Sequence, residues 1–179
     1  MPAQAIRVMS GHANGQPNSG MTPLAWILGF FLPACGAAGA TGLPLPPLMD
    51  MAHIERPASP NTALAAPAGN KPAPDIITPR FPLATPQLYD LVIAVAKQQP
   101  RTFIAAEYPA EHQVHFVARS AVLNFPDLIT AQVTAAPGGS TLMLYSRSVY
   151  GYSDLGVNRQ RLNAWLTAVE SKINRSDER

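Results

Sequence analysis

The sequence predicts an α+β fold: a four-stranded antiparallel sheet with an N-terminal and a C-terminal helix packed on one face, preceded by an extended Pro/Ala-rich segment. Two observations predict it. Apolar residues recur at helical spacing at both ends of the folded region, Leu88, Leu91, Val92 and Val95 at one and Leu162, Trp165, Leu166, Val169 and Ile173 at the other. Between them, four apolar runs are separated by short Pro/Gly/Asn turns, which joins consecutive strands as antiparallel neighbours.

Composition divides the 179 residues. Charged residues are 13% and hydrophobic residues 47%, which excludes a highly charged disordered chain. Most of the 19 prolines fall before residue 90. The reading is a signal-like segment over 1–34, a Pro/Ala-rich tether over 35–84 that packs in part on the domain, an α+β domain over 85–173, and a polar tail over 174–179. Net charge is +2 with no run of Lys or Arg, so the charge block that displaces phosphate counterions is missing and nucleic acid is not an expected partner.

In the front segment, Leu24–Leu32 is an apolar run too short for a comfortable transmembrane helix but suited to a secretory signal. Leu32-Pro33-Ala34-Cys35 resembles a bacterial lipobox, with Cys35 as the lipid-attachment residue and Pro33 as a departure. Competing readings are an uncleaved apolar anchor over Leu24–Leu43, a plain cleaved signal, or a cytoplasmic chain with an apolar front. The first two expectations put the protein on the periplasmic side of a bacterial envelope, held to the membrane by acylated Cys35 or by the anchor. A single cysteine fits a compartment where a second thiol would mispair. Through the tether, Pro44–Pro47, Pro67 and Pro72-Ala73-Pro74 forbid a regular helix or a central strand. Arg56-Pro57-Ala58-Ser59-Pro60-Asn61-Thr62 is more specific than filler, and part of Ile54–Ile77 is a candidate to lie against the domain.

In the domain, Thr85-Pro86 predicts an N-cap and first helical residue, opening a helix over Pro86–Gln98 that Pro100 stops. Thr102–Glu107 and Val114–Leu123 read as strands about the turn Pro109–His112. Leu128–Ala135 alternates, Ile129, Ala131 and Val133 against Thr130, Gln132 and Thr134. Pro137-Gly138-Gly139 predicts a hairpin turn into Thr141–Tyr150, and the C-terminal helix follows Gly151–Gly156. Strand phase then sorts faces. With Leu142, Leu144, Phe116 and Ala118 toward the helices, Ser146 and Ser148 share that side, while Arg119, Gln132, Tyr145 and Arg147 share an open polar-aromatic face.

The densest polar group is the strand–turn–helix stretch Tyr145–Arg161. Arg119, Arg147 and Arg161 are candidate anion ligands, for a lipid phosphate or a carboxylate. The alternative is a clamp, an Arg paired with Asp154 or Asp127 that fixes the turn. Gly151–Gly156 is one residue longer than a nucleophile elbow and has no histidine after it. Ser153 or Asp154 serves better as a cap for free helical N–H groups. His112 and His115 lie three apart on a strand, facing opposite sides, with no ligand set around them, so no metal and no cofactor is expected.

Ala118-Arg119-Ser120, Asn124-Phe125-Pro126-Asp127, Ser146-Arg147-Ser148, Gly151–Asn158 and Arg161 together resemble the family called domain of unknown function 1499. Arg56–Asn61 is similar to its upstream motif, with Arg56 and Thr62 standing where that pattern has cysteines. The resemblance covers about residues 53–173. It implies an envelope-associated bacterial protein with chloroplast homologues, and no particular chemistry. The resulting expectation is a non-enzymatic envelope module that binds a lipid or an envelope protein through Arg119, Gln132, Tyr145, Arg147, Asp154, Asn158 and Arg161. The alternatives are an enzyme with its site around 145–161, and a purely structural component.

Overall fold

The computed structural model describes residues 39–43 and 47–177. The apolar run at 24–32 and Cys35 lie outside them. Seven strands form one sheet: β1 (Thr62–Ala66), β2 (Ile76–Ile77), β3 (Arg80–Phe81), β4 (Thr102–Tyr108), β5 (Gln113–Arg119), β6 (Pro126–Ala136) and β7 (Gly139–Ser148). Among the described residues two α-helices accompany it, α1 (Thr85–Lys97) and α2 (Val157–Asp177). The order across the sheet is β2-β1-β7-β6-β5-β4, with β3 on β7 beside β1.

The class is α+β, but the four-stranded antiparallel sheet of the sequence reading is incorrect. The sheet is seven-stranded and mixed, because the Pro-rich stretch contributes β1, β2 and β3. β1 runs antiparallel to β7, Thr62 opposite Arg147 and Ala65 opposite Leu144, while β2 is parallel to β1. β3 sets Phe81 opposite Ser140. Prolines permit this because the strands are only two to five residues long and sit outside β7, with Pro60 and Pro67 flanking β1.

The two helices cover one face. Leu88, Val92 and Val95 of α1 and Leu162, Trp165 and Val169 of α2 pack on Phe116, Ile129, Leu142 and Leu144. Trp165 meets Phe116 edge-on at 5.3 Å between ring centres. Helix α1 begins at Thr85, the predicted cap, so the cap position falls one residue earlier, at Ala84. Thr85 Oγ1 bonds Ser140 Oγ at 3.1 Å, and the Gln87 side chain instead accepts the Ala84 N–H at 3.2 Å.

The other face is not open. Residues 47–57 cross it as a strap that contains a single 3-10 turn, Met51–His53. Met51 and Ile54 bury against Leu64, Ala66 and Tyr145. Gln113 latches the strap to the sheet. It donates from Nε2 to Met49 O at 2.8 Å and accepts the Met49 N–H on Oε1 at 2.7 Å. A fully buried amide is tolerated here because both of its ends are satisfied. Among the described residues no helix is long and apolar enough to cross a membrane.

Candidate functional site

The strand–turn–helix stretch and the upstream motif are wired to each other. Asp154 caps α2, its Oδ1 accepting the Gly156 N–H at 2.9 Å and its Oδ2 the Asn158 N–H at 2.8 Å. Asn158, fully buried, is the hub. Its Nδ2 donates to Asn61 O (2.9 Å) and Ser148 Oγ (3.0 Å). Its Oδ1 accepts from Ser146 Oγ (2.5 Å) and Arg161 Nη1 (2.7 Å). Arg161 also pairs with Asp127 at 2.5 Å. Asn61 returns the connection by donating from Nδ2 to Gly151 O at 2.7 Å and accepting the Ser59 hydroxyl at 2.9 Å. Small serines at 146 and 148 let α2 come close enough for these bonds.

On the strap side lies a cleft of about 750 Å³. Its walls include Met49, Ile54, Arg56, Ser59, Thr62, Tyr145, Arg147 and Ser148, with Asp50, His53 and Glu55 on the strap. Most of its charges are matched. The His53 side chain hydrogen-bonds Asp50 at 2.7 Å and holds that carboxyl below its ordinary value. Arg56 Nη2 pairs with Asp75 Oδ2 at 2.9 Å. Arg56 also donates to Thr62 Oγ1 (3.2 Å) and Thr62 O (3.3 Å), so the two positions where the resembled pattern has cysteines touch through hydrogen bonds. Arg147 differs. It is half-buried on the cleft wall, and no acceptor among the described residues bonds its guanidinium. Burial raises the Tyr145 phenol, opposed by Arg147, a Thr62 hydrogen bond and Arg56, so its O–H stays a donor at neutral pH.

The predicted set therefore divides. Tyr145 and Arg147 line the cleft. Asp154, Asn158 and Arg161 form the clamp behind it. Arg119 is only 5% exposed and donates to Gly39 O at 2.8 Å and Asn124 O at 3.1 Å, so it closes the sheet end rather than facing solvent. It lines a separate cavity of about 280 Å³ with Arg101 and Arg161. Gln132 is half-buried beside Glu111 O, away from the cleft. The shared open face of Arg119, Gln132, Tyr145 and Arg147 is thus corrected: the strap buries Tyr145 and splits the rest. The sequence reading missed His53 and Met49 as wall residues and named Ile54 only as the start of the stretch Ile54–Ile77, part of which was a candidate to lie against the domain.

His112 and His115 do not form a pair. His112 ends a turn at φ 49° with its ring edge-on to Tyr89. His115 is 2% exposed inside β5, its Nδ1 2.9 Å from Thr130 Oγ1, its Nε2 without a hydrogen-bond partner among the described residues. Burial pushes its pKa below 6.5, so the native ring is neutral. The unfolded chain takes up the proton first as pH falls below 6.5. The stability tied to this ring is therefore full above that value and lost as pH falls through the native pKa. Urea midpoints at pH 7 and pH 5 are expected to differ less in His115→Phe than in the parent chain.

The fold and site define a single-sheet α+β domain in which an upstream loop is clamped to a strand–turn–helix motif beside a polar cleft. The chain belongs to the family described as protein of unknown function (DUF1499), which it matches over residues 54–169. That span contains β1, the clamp, all of α1 and the part of α2 up to Val169. No curated protein matches the chain. Among solved structures, the crystal structure of Ara h 8.0201 is similar at 12% identity and a TM-score of 0.43, covering 53% of this chain and 92% of that one. At that level the likeness carries no argument.

Proposed function

We propose that the protein is a non-catalytic binding module whose cleft takes a small anionic ligand, held by Arg147, on the periplasmic side of a bacterial envelope. One observation carries the binding reading: Arg147 is a half-buried cation with no acceptor among the described residues, on the wall of a cleft of about 750 Å³. That volume falls in the range of small-molecule sites, roughly 300–1,000 Å³. A guanidinium beside a protonated Tyr145 and the Ser148 hydroxyl suits a carboxylate or phosphate. Met49 and Ile54 supply apolar contact for the remainder of the ligand.

The groups a hydrolytic reading requires are committed elsewhere. Ser153 Oγ accepts the Leu155 N–H at 3.3 Å, Asp154 caps α2, and His53 is exposed and paired with Asp50. The envelope location is supported by the apolar run Leu24–Leu32 and the lipobox-like Leu32–Cys35. Intact mass of membrane-derived protein tests it, because acylation at Cys35 gives a mature chain that starts there.

Titration with anilinonaphthalene sulfonate, an aromatic anion with a fluorescent readout, tests the cleft. Saturable binding is expected, displaced by inorganic phosphate or octanoate. Arg147→Gln is expected to weaken it about tenfold or more, since a charge-assisted hydrogen bond contributes about 1.5–3 kcal/mol. Its thermal midpoint should stay near that of the parent chain, because the Arg147 side chain bonds no acceptor among the described residues and the backbone pairing of β7 with β1 and β6 is kept. Equal binding by Arg147→Gln overturns the reading.

A further inference from the structure

Most of the large apolar side chains exposed among the described residues belong to two loops. The β5–β6 loop shows Val122, Leu123 and Phe125. The β7–α2 turn and helix start show Tyr152, Leu155 and Val157. Val122 is 91% exposed and Leu155 90%. The loops meet at one end of the sheet, where Val149 N–H donates to Pro126 O at 3.2 Å and the Phe125 ring lies 6.3 Å from that of Tyr150. Leu155 also has φ 53°, a backbone region that L-residues other than Asn and Asp seldom adopt. The chain there carries both an unfavourable backbone conformation and an unburied leucine.

Basic charges outnumber acidic ones around these tips. Residues 120–125 contain no acid, and 149–157 contain only Asp154, whose carboxylate is spent on the start of α2. Arg101, exposed, hydrogen-bonds the Asn124 side chain at the base of the first loop. Arg159, also exposed, lies two residues beyond Val157.

We propose that these two loops form a membrane-contact surface, with Val122, Leu123, Tyr152 and Leu155 entering the interfacial layer of an anionic bilayer and Arg101 and Arg159 at the level of its phosphates. Apolar tips with a basic collar match that layer in polarity and in charge. A second copy of the chain or another protein fits less well. A stable protein interface takes about 800 Å² and roughly 20–30 residues from each side, more than two loop tips present. A bilayer accepts a few protruding side chains and closes around them. The cleft plays no part in this surface, so the proposal stands or falls apart from ligand binding.

The test uses the full chain with Leu155→Trp and vesicles of phosphatidylethanolamine and phosphatidylglycerol. Emission from the parent chain, which has Trp26 and Trp165, is subtracted. Added vesicles should shift the new emission to the blue, and brominated lipid should quench it. Adding Val122→Ser should reduce that quenching, and vesicles of phosphatidylcholine alone should bind roughly tenfold more weakly. Both substituted positions are almost fully exposed, so the fold is retained. A chain that reaches vesicles while its 155 position stays unquenched, held by another segment, overturns the proposal. So does a chain that does not associate, and so does concentration-dependent dimerisation in solution that Val122→Ser abolishes.

Discussion

Asn158→Leu is expected to lower unfolding stability by about 3–5 kcal/mol, measured as a shift in the urea midpoint at unchanged slope. The substitution keeps the branched shape of the side chain but puts larger methyl groups where atoms lie 2.5–3.0 Å from their partners, so the cost combines lost bonds with overpacking. It removes both donors that hold Asn61 O and Ser148 Oγ, and the acceptor shared by Ser146 and Arg161. Each lost bond is worth about 0.5–1.5 kcal/mol, and more where a charge takes part or a buried group is left without a partner. Arg161 keeps Asp127 and Ser146 Oγ, which bounds the loss from above. For a domain whose whole stability is of the order of 5–15 kcal/mol this is a large share. Asp154→Ala gives the scale for comparison, since it removes a helix cap and should cost only about 1 kcal/mol. If Asn158→Leu costs no more than Asp154→Ala, the upstream loop is not held by this network. The comparison also separates clamp from ligand. A clamp residue changes stability, whereas Arg147 changes binding and leaves stability alone.

The clamp was partly legible in the sequence, and the cleft hardly at all. Strand alternation placed Ser146 on the helix side and Tyr145 and Arg147 opposite, because a period of two leaves only two choices once Leu142 and Leu144 are assigned to the core. Residue type and position offered Asp127 or Asp154 as an arginine's partner and Ser153 or Asp154 as the cap, and the structure has Arg161 with Asp127 and Asp154 at the start of α2. The strap did not. Met49, Met51 and Ile54 follow neither helical nor strand spacing, so nothing local marks them as buried. What fixes them is the two-way latch to Gln113, sixty-four residues away, and a polar residue inside an apolar strand reads as an irregularity until its partner is known. The strands at 62–81 were hidden for a related reason. Their prolines do forbid long or central strands, but short ones on the outer side of β7 escape the rule.

That hidden part of the sheet can be tested at a glycine. Gly139→Ala is expected to cost about 3–4 kcal/mol, and Gly138→Ala about 1 kcal/mol. Both glycines have positive φ, 76° at Gly138 and 151° at Gly139, so both substitutions meet backbone strain. They differ in surroundings. A Cβ at Gly138 meets nothing within 4 Å. At Gly139 it would overlap the carbonyl oxygen of Phe81 and lie 3.0 Å from its carbon and 3.2 Å from Pro82 Cα. These are backbone atoms, and no side-chain rotation relieves the overlap. Phe81 cannot easily yield, because its ring is buried in the helix-side core and Thr78 Oγ1 and Arg80 Nη1 hold the same segment to Leu142 O and Pro137 O at 2.9 Å and 2.8 Å. The comparison within one turn therefore measures the attachment of β3 itself. A larger cost at 139, with faster proteolysis between residues 66 and 82, is the result expected of a segment built into the sheet. Equal costs at 138 and 139 would mean that Phe81 moves away freely and that the Pro-rich stretch is a tether after all. The cleft would then lose one wall, since Arg56 is held by Asp75 from the loop that leads into β2.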